Sequence, residues 1–224
     1  VKLQKVLVIG ASRGIGLGFV EHLCRSGLSV IATVRHREDQ EALESLGAKA
    51  LMLDVQMQDS RASFLSQIKD EVFSMIVHVA GVYGPRTDAI TAVEQNDFDR
   101  VMQTNVAPVL GMLPQLMQQL PSSQGRWISI SSQMASISLS QDSSGWLYKV
   151  SKAALNMAIH SAAKQHKSKI IVAMSPGWVK TDMGSSAAPL TVDESVSQMI
   201  KTIERLTLKD NGRFLNYDGH ELAW

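Results

Sequence analysis

One cysteine, Cys24, stands in 224 residues, so the chain can form no disulfide within itself. It shares an apolar helical face with Val20 and Leu23, where a buried thiol packs as an inert small group. That usage fits a reducing, cytoplasmic compartment. An excess of one charge is also lacking. The 22 basic and 21 acidic residues leave a net charge of +1, which gives no electrostatic basis for holding nucleic acid or an acidic membrane surface. The densest basic run, Arg35-His36-Arg37, is followed at once by Glu38 and Asp39. No apolar stretch approaches the ~20 residues of a membrane span. The six histidines show no metal-ligand spacing and there is no cysteine pair, so no metal site is expected. Repeats, linkers and low-complexity tracts are missing as well. A strand-like run at 6–9 follows Val1 so closely that the chain as given leaves no room for a signal peptide.

The chain does contain apolar residues in ordinary proportion, 45%, arranged in short runs. Runs rich in Val, Ile, Leu and Met at 5–9, 29–34, 50–53, 75–79, 126–130, 169–174 and 213–216 read as strands covered on both faces. Helical patterns occupy 15–26, 38–46, 60–72, 98–120, 146–166 and 192–206. Gly27 and Gly47 stand where C-terminal caps belong, and Thr191 with Glu194 fits a capping box. This alternation predicts one α/β domain over 1–224. Its core is a Rossmann-type, doubly wound parallel sheet of about seven strands with helices on both faces. Ligands of such folds bind beyond the carboxyl ends of the strands, which is where the unusual residues fall.

The first strand runs into Gly10-Ala11-Ser12-Arg13-Gly14-Ile15-Gly16, and a helix follows. Strand, glycine turn and helix N-terminus together form an anion site in which backbone N–H groups approach a pyrophosphate. The second strand ends Ala32-Thr33-Val34-Arg35, with no carboxylate to accept from a ribose. Arg35 and Arg13 are instead suited to a 2′-phosphate, since guanidinium matches phosphate geometry. These residues point to NADP(H). Either arginine alone reads equally well as a solvated surface group, and Asp54 as a turn acid.

Tyr148 and Lys152 lie four residues apart on one helical face. A free tyrosine titrates near ~10, too high for easy proton exchange. A neighbouring ammonium and a positive nicotinamide would favour the phenolate and lower that value. A tyrosine so placed can protonate a carbonyl oxygen as hydride arrives at carbon. The pair follows Ser129-Ile130-Ser131-Ser132, hydroxyls at the carboxyl end of a strand that can position a substrate oxygen. Farther on stand Thr104-Asn105-Val106 and Ser175-Pro176-Gly177-Trp178-Val179-Lys180-Thr181; the Pro-Gly pair by itself says only that the chain turns.

In this order, the glycine spacing, Tyr-x-x-x-Lys and Pro-Gly-x-x-x-Thr segments resemble those of the short-chain dehydrogenase/reductase family along essentially the whole chain. Two stretches, Tyr148 to Asn156 and Gly212 to Trp224, are similar to the C-factor-like and sniffer-like carbonyl reductases. The resemblance implies a catalytic set of Asn105, Ser132, Tyr148 and Lys152. Ser131 is then structural, and Asn105 holds a water that links the lysine to solvent. It further implies a cofactor site made by Gly10, Ser12, Arg13, Gly14, Ile15, Gly16, Arg35, Asp54, Val55, Ala80, Gly81, Tyr148, Lys152, Pro176, Gly177, Val179 and Thr181. In that site Asp54-Val55 lies beside the adenine, and the Val179 backbone and Thr181 hydroxyl hold the nicotinamide carboxamide.

Two departures stand out. His78-Val79-Ala80-Gly81 replaces the family's Asn-Asn-Ala-Gly, and His78 reads as a packed strand residue. The interval from Ser132 to Tyr148 is also long, so Ser143, Ser144 and Gly145 are expected to reshape the substrate side. The segment 183–190 is the expected substrate lid, rich in Ser and Ala and without charge. The expected reaction is reduction of a small ketone or aldehyde by NADPH. The expected assembly is a homodimer or homotetramer formed through helices 98–120 and 146–166, with Met112 and Met117 as packing or contact residues. A dinucleotide-binding regulatory protein with little turnover is the alternative. An epimerase of the extended family would need a larger substrate domain.

Overall fold

The computed structural model describes residues 4–121 and 123–224; Val1 lies outside them. Seven strands form one parallel sheet: β1 (Lys5–Ile9), β2 (Ser29–Val34), β3 (Lys49–Met52), β4 (Met75–His78), β5 (Arg126–Ile130), β6 (Ile170–Ser175) and β7 (Phe214–Asn216). Their spatial order is β3-β2-β1-β4-β5-β6-β7, so the chain reverses its direction of winding between β1 and β4. A crevice opens at such a reversal, beyond the strand ends.

The helices are α1 (Gly14–Arg25), α2 (Glu38–Ser45), α3 (Gln58–Gln67), α4 (Gln95–Asn105), α5 (Ala107–Leu116), α6 (Trp146–Gln165) and α7 (Val192–Arg205). Because side chains alternate across a strand, the sheet carries a core on each face. Val6 and Val8 pack with Phe19, Leu43 and Met199 from α1, α2 and α7, whereas Leu7 and Ile9 face the core of Phe64, Met112 and Ile159 from α3, α5 and α6. The anticipated caps are present. Gly27 and Gly47 take positive φ at the ends of α1 and α2, and Thr191 and Glu194 close a capping box at α7.

The expected helix over 98–120 is instead two helices broken at Val106, whose φ and ψ are −121° and −58°. The cause is Pro108. It has no N–H for the Thr104 carbonyl, and in a continuous helix its ring would clash with that carbonyl. The Val109 N–H, which a continuous helix would send to Asn105, bonds to Val106 at 3.1 Å. The break thus puts Asn105 at a helix end, and it is fully buried there.

Candidate active site

Beyond the strand ends lies a cleft of about 770 Å³, between the glycine turn, the segments after β2, β3 and β4, and the start of the segment after β6. At its centre Gly10 takes φ +89, and a Cβ there would lie 2.7 Å from the Ala80 nitrogen, so β1 and the segment after β4 meet backbone to backbone. The Gly10 N–H donates to Thr33 Oγ1 at 3.0 Å, and the Ala11 N–H donates to the Thr33 carbonyl at 2.8 Å, which fixes the turn against β2. No side chain caps the first turn of α1. Its N–H groups face a cleft lined by Ser12, Arg13, Gly14 and Ile15, the arrangement that suits a pyrophosphate. Gly16 stands behind the turn, packed against the Gly10 carbonyl.

At one end of the cleft lie Arg35, His36, Asp54 and Val55. Arg35 is exposed and donates from Nε to His36 Nε2 at 3.0 Å. Asp54 builds its own turn, accepting the Gln56 N–H at 3.0 Å. Arg13 is paired with Asp182 at 2.9 Å across the mouth of the cleft, with both side chains about three-quarters exposed. The cleft is also lined by residues that no sequence motif marks, among them Thr33, Lys180, Glu38 and Asp39. Glu38 and Asp39 bear on which cofactor the cleft suits. The end of β2 lacks a carboxylate, yet the first turn of α2 brings two, where they also favour the helix dipole.

At the other end, α6 presents Tyr148 and Lys152, both almost wholly buried. Lys152 Nζ donates to the Ile130 carbonyl at 2.9 Å and stands 5.7 Å from the centre of the Tyr148 ring. Ser132 lies beside the Tyr148 hydroxyl and acts to lower it. Burial pushes the tyrosine up to about 12 against the opposing effect of Ser132, and Tyr83 pushes it the same way as burial. The lowering expected from the ammonium does not appear in the protein alone: losing water costs the phenolate more than the neighbouring Ser132 returns. Burial also lowers Lys152, to about 8.

Asn105 braces Val82. Its Oδ1 accepts the Val82 N–H at 2.8 Å, and its Nδ2 donates to the Val82 carbonyl and to Ser151 Oγ, each at 2.9 Å. Both amide hydrogens are thus committed to protein. The part of Asn105 that the helix break leaves without its usual donor is the backbone carbonyl. Ser131, expected to be structural, donates to Asn156 Oδ1 at 2.6 Å, although it also lines the cleft.

His78 sits inside the sheet, stacked with Trp127 at 6.4 Å between ring centres. Burial, helped by the Lys152 charge, lowers it to about 3, which fits a packed neutral imidazole. Neither ring nitrogen has a hydrogen-bond partner among the described residues. Pro176 and Thr181 line the cleft, and Thr181 Oγ1 accepts the Gly184 N–H at 3.1 Å. Gly177 and Val179 lie behind them, with Val179 bridged to Leu190. Ala80 and Gly81 complete the wall between the two ends. Of the expected residues, Gly16, Asn105, Ser132, Gly177 and Val179 support the cleft from behind or beside it.

The long interval before Tyr148 folds against the segment after β4. The Gly145 N–H donates to the Thr87 carbonyl at 2.8 Å and Ser143 Oγ to the Asp88 carbonyl at 3.2 Å. This brings Tyr83 onto Tyr148, with ring centres 4.6 Å apart and 21° between planes. No sequence motif marks Tyr83, and its place depends on contacts between distant segments.

Among the described residues no helix is long and apolar enough to cross a membrane, and no group of three His, Cys, Asp or Glu could hold a metal ion. Residues 4–190 match the family described as short chain dehydrogenase. The C-signal of Myxococcus xanthus is 32% identical over 168 residues, 72% of this chain and 99% of that protein. The structure is similar to the carbonyl reductase Sniffer of D. melanogaster, with a TM-score of 0.86 and 33% identity over the whole of both chains. It is similar also to a carbonyl reductase of Pseudomonas aeruginosa in complex with NADP, with a TM-score of 0.86 and 28% identity, again over both whole chains.

Proposed function

The chain belongs to the short-chain dehydrogenase family, and on that premise we propose that it reduces a ketone or aldehyde to an alcohol with NADPH. The observation that carries the reading is the placing of one hydroxyl. Tyr148, beside Ser132 and backed by Lys152, stands at the end of a cleft whose other walls suit a dinucleotide. The fit to such a cofactor rests on the glycine turn, where the Gly10 approach leaves no room for a Cβ, and on the open first turn of α1. Arg35 and Arg13 supply guanidinium groups for a 2′-phosphate at the far end. The NADP-bound reductase from P. aeruginosa supports the same choice.

When bound, the cofactor supplies hydride to the carbonyl carbon. Ser132 holds the carbonyl oxygen beside the phenol, and Tyr148 gives that oxygen its proton. A tyrosine held up near about 12 remains protonated at neutral pH, which is the form an acid needs in the reducing direction. Lys152, fixed by the Ile130 carbonyl, places a positive charge behind the phenol that stabilises the phenolate left after transfer. Asn105 keeps the Val82 backbone in place, and with it the wall of the cleft.

The whole chain, residues 1–224, is one such catalytic domain. It works as a dimer or tetramer in a reducing, cytoplasmic setting, a reading supported by the exposed Val150 and Met157 on α6 and by the lone thiol of Cys24. One observation favours a second reading, a dinucleotide-binding signalling protein with little turnover: the 32% identity to a protein named C-signal. Tyr148→Phe separates the two. It removes only the proton donor, so the reductase reading expects unchanged NADPH binding by fluorescence titration and a loss of about a hundredfold or more in kcat. A variant as active as the parent, or a parent inactive on every carbonyl of a broad panel, overturns the reading.

A further inference from the structure

The segment expected as a substrate lid contains no charge, but the fold brings a cation to it from elsewhere. Arg86, in the segment after β4, lays its guanidinium over the Tyr83 ring, 4.9 Å from its centre, and donates from Nη2 to the Met183 carbonyl at 2.7 Å. Tyr83 in turn covers Tyr148 at 4.6 Å. The guanidinium therefore lies within about 10 Å of the Tyr148 ring, bridging the two walls that flank the reacting hydroxyl. One wall is the Tyr83 layer; the other begins at Met183, which lines the cleft.

Two acids of that region are committed. Asp182 is paired with Arg13, and Asp142 with Lys149. None of the ion pairs among the described residues includes Arg86. Its hydrogen bonding to the protein uses one guanidinium N–H of five. The Tyr83 ring beneath it and the Met183 bond together hold the group in place. An orientated guanidinium with a free edge is the geometry that takes a carboxylate through two parallel bonds.

We propose that Arg86 selects carbonyl substrates bearing a carboxylate a few carbon atoms from the reacting carbon, with the substrate body against Tyr83. This rests on the reductase reading above. In that arrangement the carbonyl meets Ser132 and Tyr148 while the carboxylate meets Arg86, so one substrate spans the stacked pair of tyrosines.

The test compares matched acids and esters, para-acetylbenzoate with its methyl ester and levulinate with its methyl ester, in the parent and in Arg86→Gln. The parent should show kcat/KM about tenfold higher for each acid than for its ester, mostly through KM, and the preference should shrink in high salt. In Arg86→Gln the acid-to-ester ratio should fall to about one. Equal use of acid and ester by the parent overturns the proposal, and so does an Arg86→Gln variant that keeps the parental ratio. If the parent reduces neutral carbonyls without preferring the acids, only the assignment of Arg86 fails. If it reduces no carbonyl at all, the reductase reading falls and takes this proposal with it.

Discussion

The two ends of the cleft are built by different means. The cofactor end is set by backbone: a turn whose Gly10 touches Ala80 main chain, an uncapped helix start, and N–H bonds into β2. The substrate end is set by side chains from segments far apart in sequence, with Arg86 on Tyr83, Tyr83 on Tyr148, and Gly145 against Tyr83. Backbone sites tolerate little change because nothing in them can turn aside. A wall of side chains can be recut residue by residue while the chemistry beneath it stays fixed.

The sharpest test of this contrast is Gly10→Ala. The new Cβ meets Ala80 backbone, and φ +89 is strained for any L side chain. Strain of about 1–3 kcal/mol and overpacking of about 1–3 kcal/mol should combine. Thermal unfolding should fall by many degrees, and fluorescence titration should show NADPH binding lost. A Gly10→Ala protein that binds NADPH like the parent would refute a backbone-defined cofactor end.

Next in size is cofactor choice. A charged bond to phosphate contributes about 1.5–3 kcal/mol, so NADPH should bind at least about tenfold more tightly than NADH. Val34 is buried in the core, so a reversing carboxylate belongs at the exposed neighbouring position. Arg35→Asp should turn the preference toward NADH, a change of about a hundredfold in the ratio of the two dissociation constants. An unchanged ratio would show that the 2′-phosphate lies elsewhere. The acids Glu38 and Asp39 work against Arg35 in the parent, so their amides should strengthen NADPH binding.

His78 lies beneath both ends and gives a pH effect. Its folded value of about 3 lies below the ordinary 6.5, so the unfolded chain binds the proton more readily. Stability is then fully present above about 6.5 and is lost as pH falls toward 3. Between pH 7 and 5 the loss should be about 2 kcal/mol, at ~1.4 kcal/mol per unit. His78→Asn, which restores the residue type of the resembling family, should flatten the denaturation midpoint over that range. A slope unchanged by the substitution would assign the acid sensitivity to another group.

The smallest effect belongs to the substrate end. Gly145→Ala also stands at positive φ, +58, but its Cβ meets the Tyr83 side chain, which can swing away. The expected cost is only about 1–2 kcal/mol. Substrate KM should change while the NADPH dissociation constant does not. A variant in which both move together would erase the distinction between the two ends.

The same contrast explains what the sequence revealed. Strand periodicity, the glycine spacing and Tyr148 with Lys152 are local, and each was legible before the fold was known. The pair Thr191 and Glu194 was legible for the same reason. The apolar pattern continues across Val106 and hides the break there, although Pro108 marks it. In the sequence Glu38 and Asp39 only balance charge, because their approach to the cleft depends on how α2 leaves β2. Tyr83 and Arg86 had no motif at all, since their meaning arises only where three segments converge over Tyr148.

Hydride transfer from NADPH to a carbonyl carbon, with the proton supplied by Tyr148, can be followed with NADPH carrying deuterium on the transferred position, a ketone that the enzyme turns over, and mass spectrometry of the product. The parent should form an alcohol with one deuterium on its former carbonyl carbon, and Tyr148→Phe should form almost none. Alcohol without the label, or labelled alcohol formed equally well by the phenylalanine variant, would contradict this mechanism.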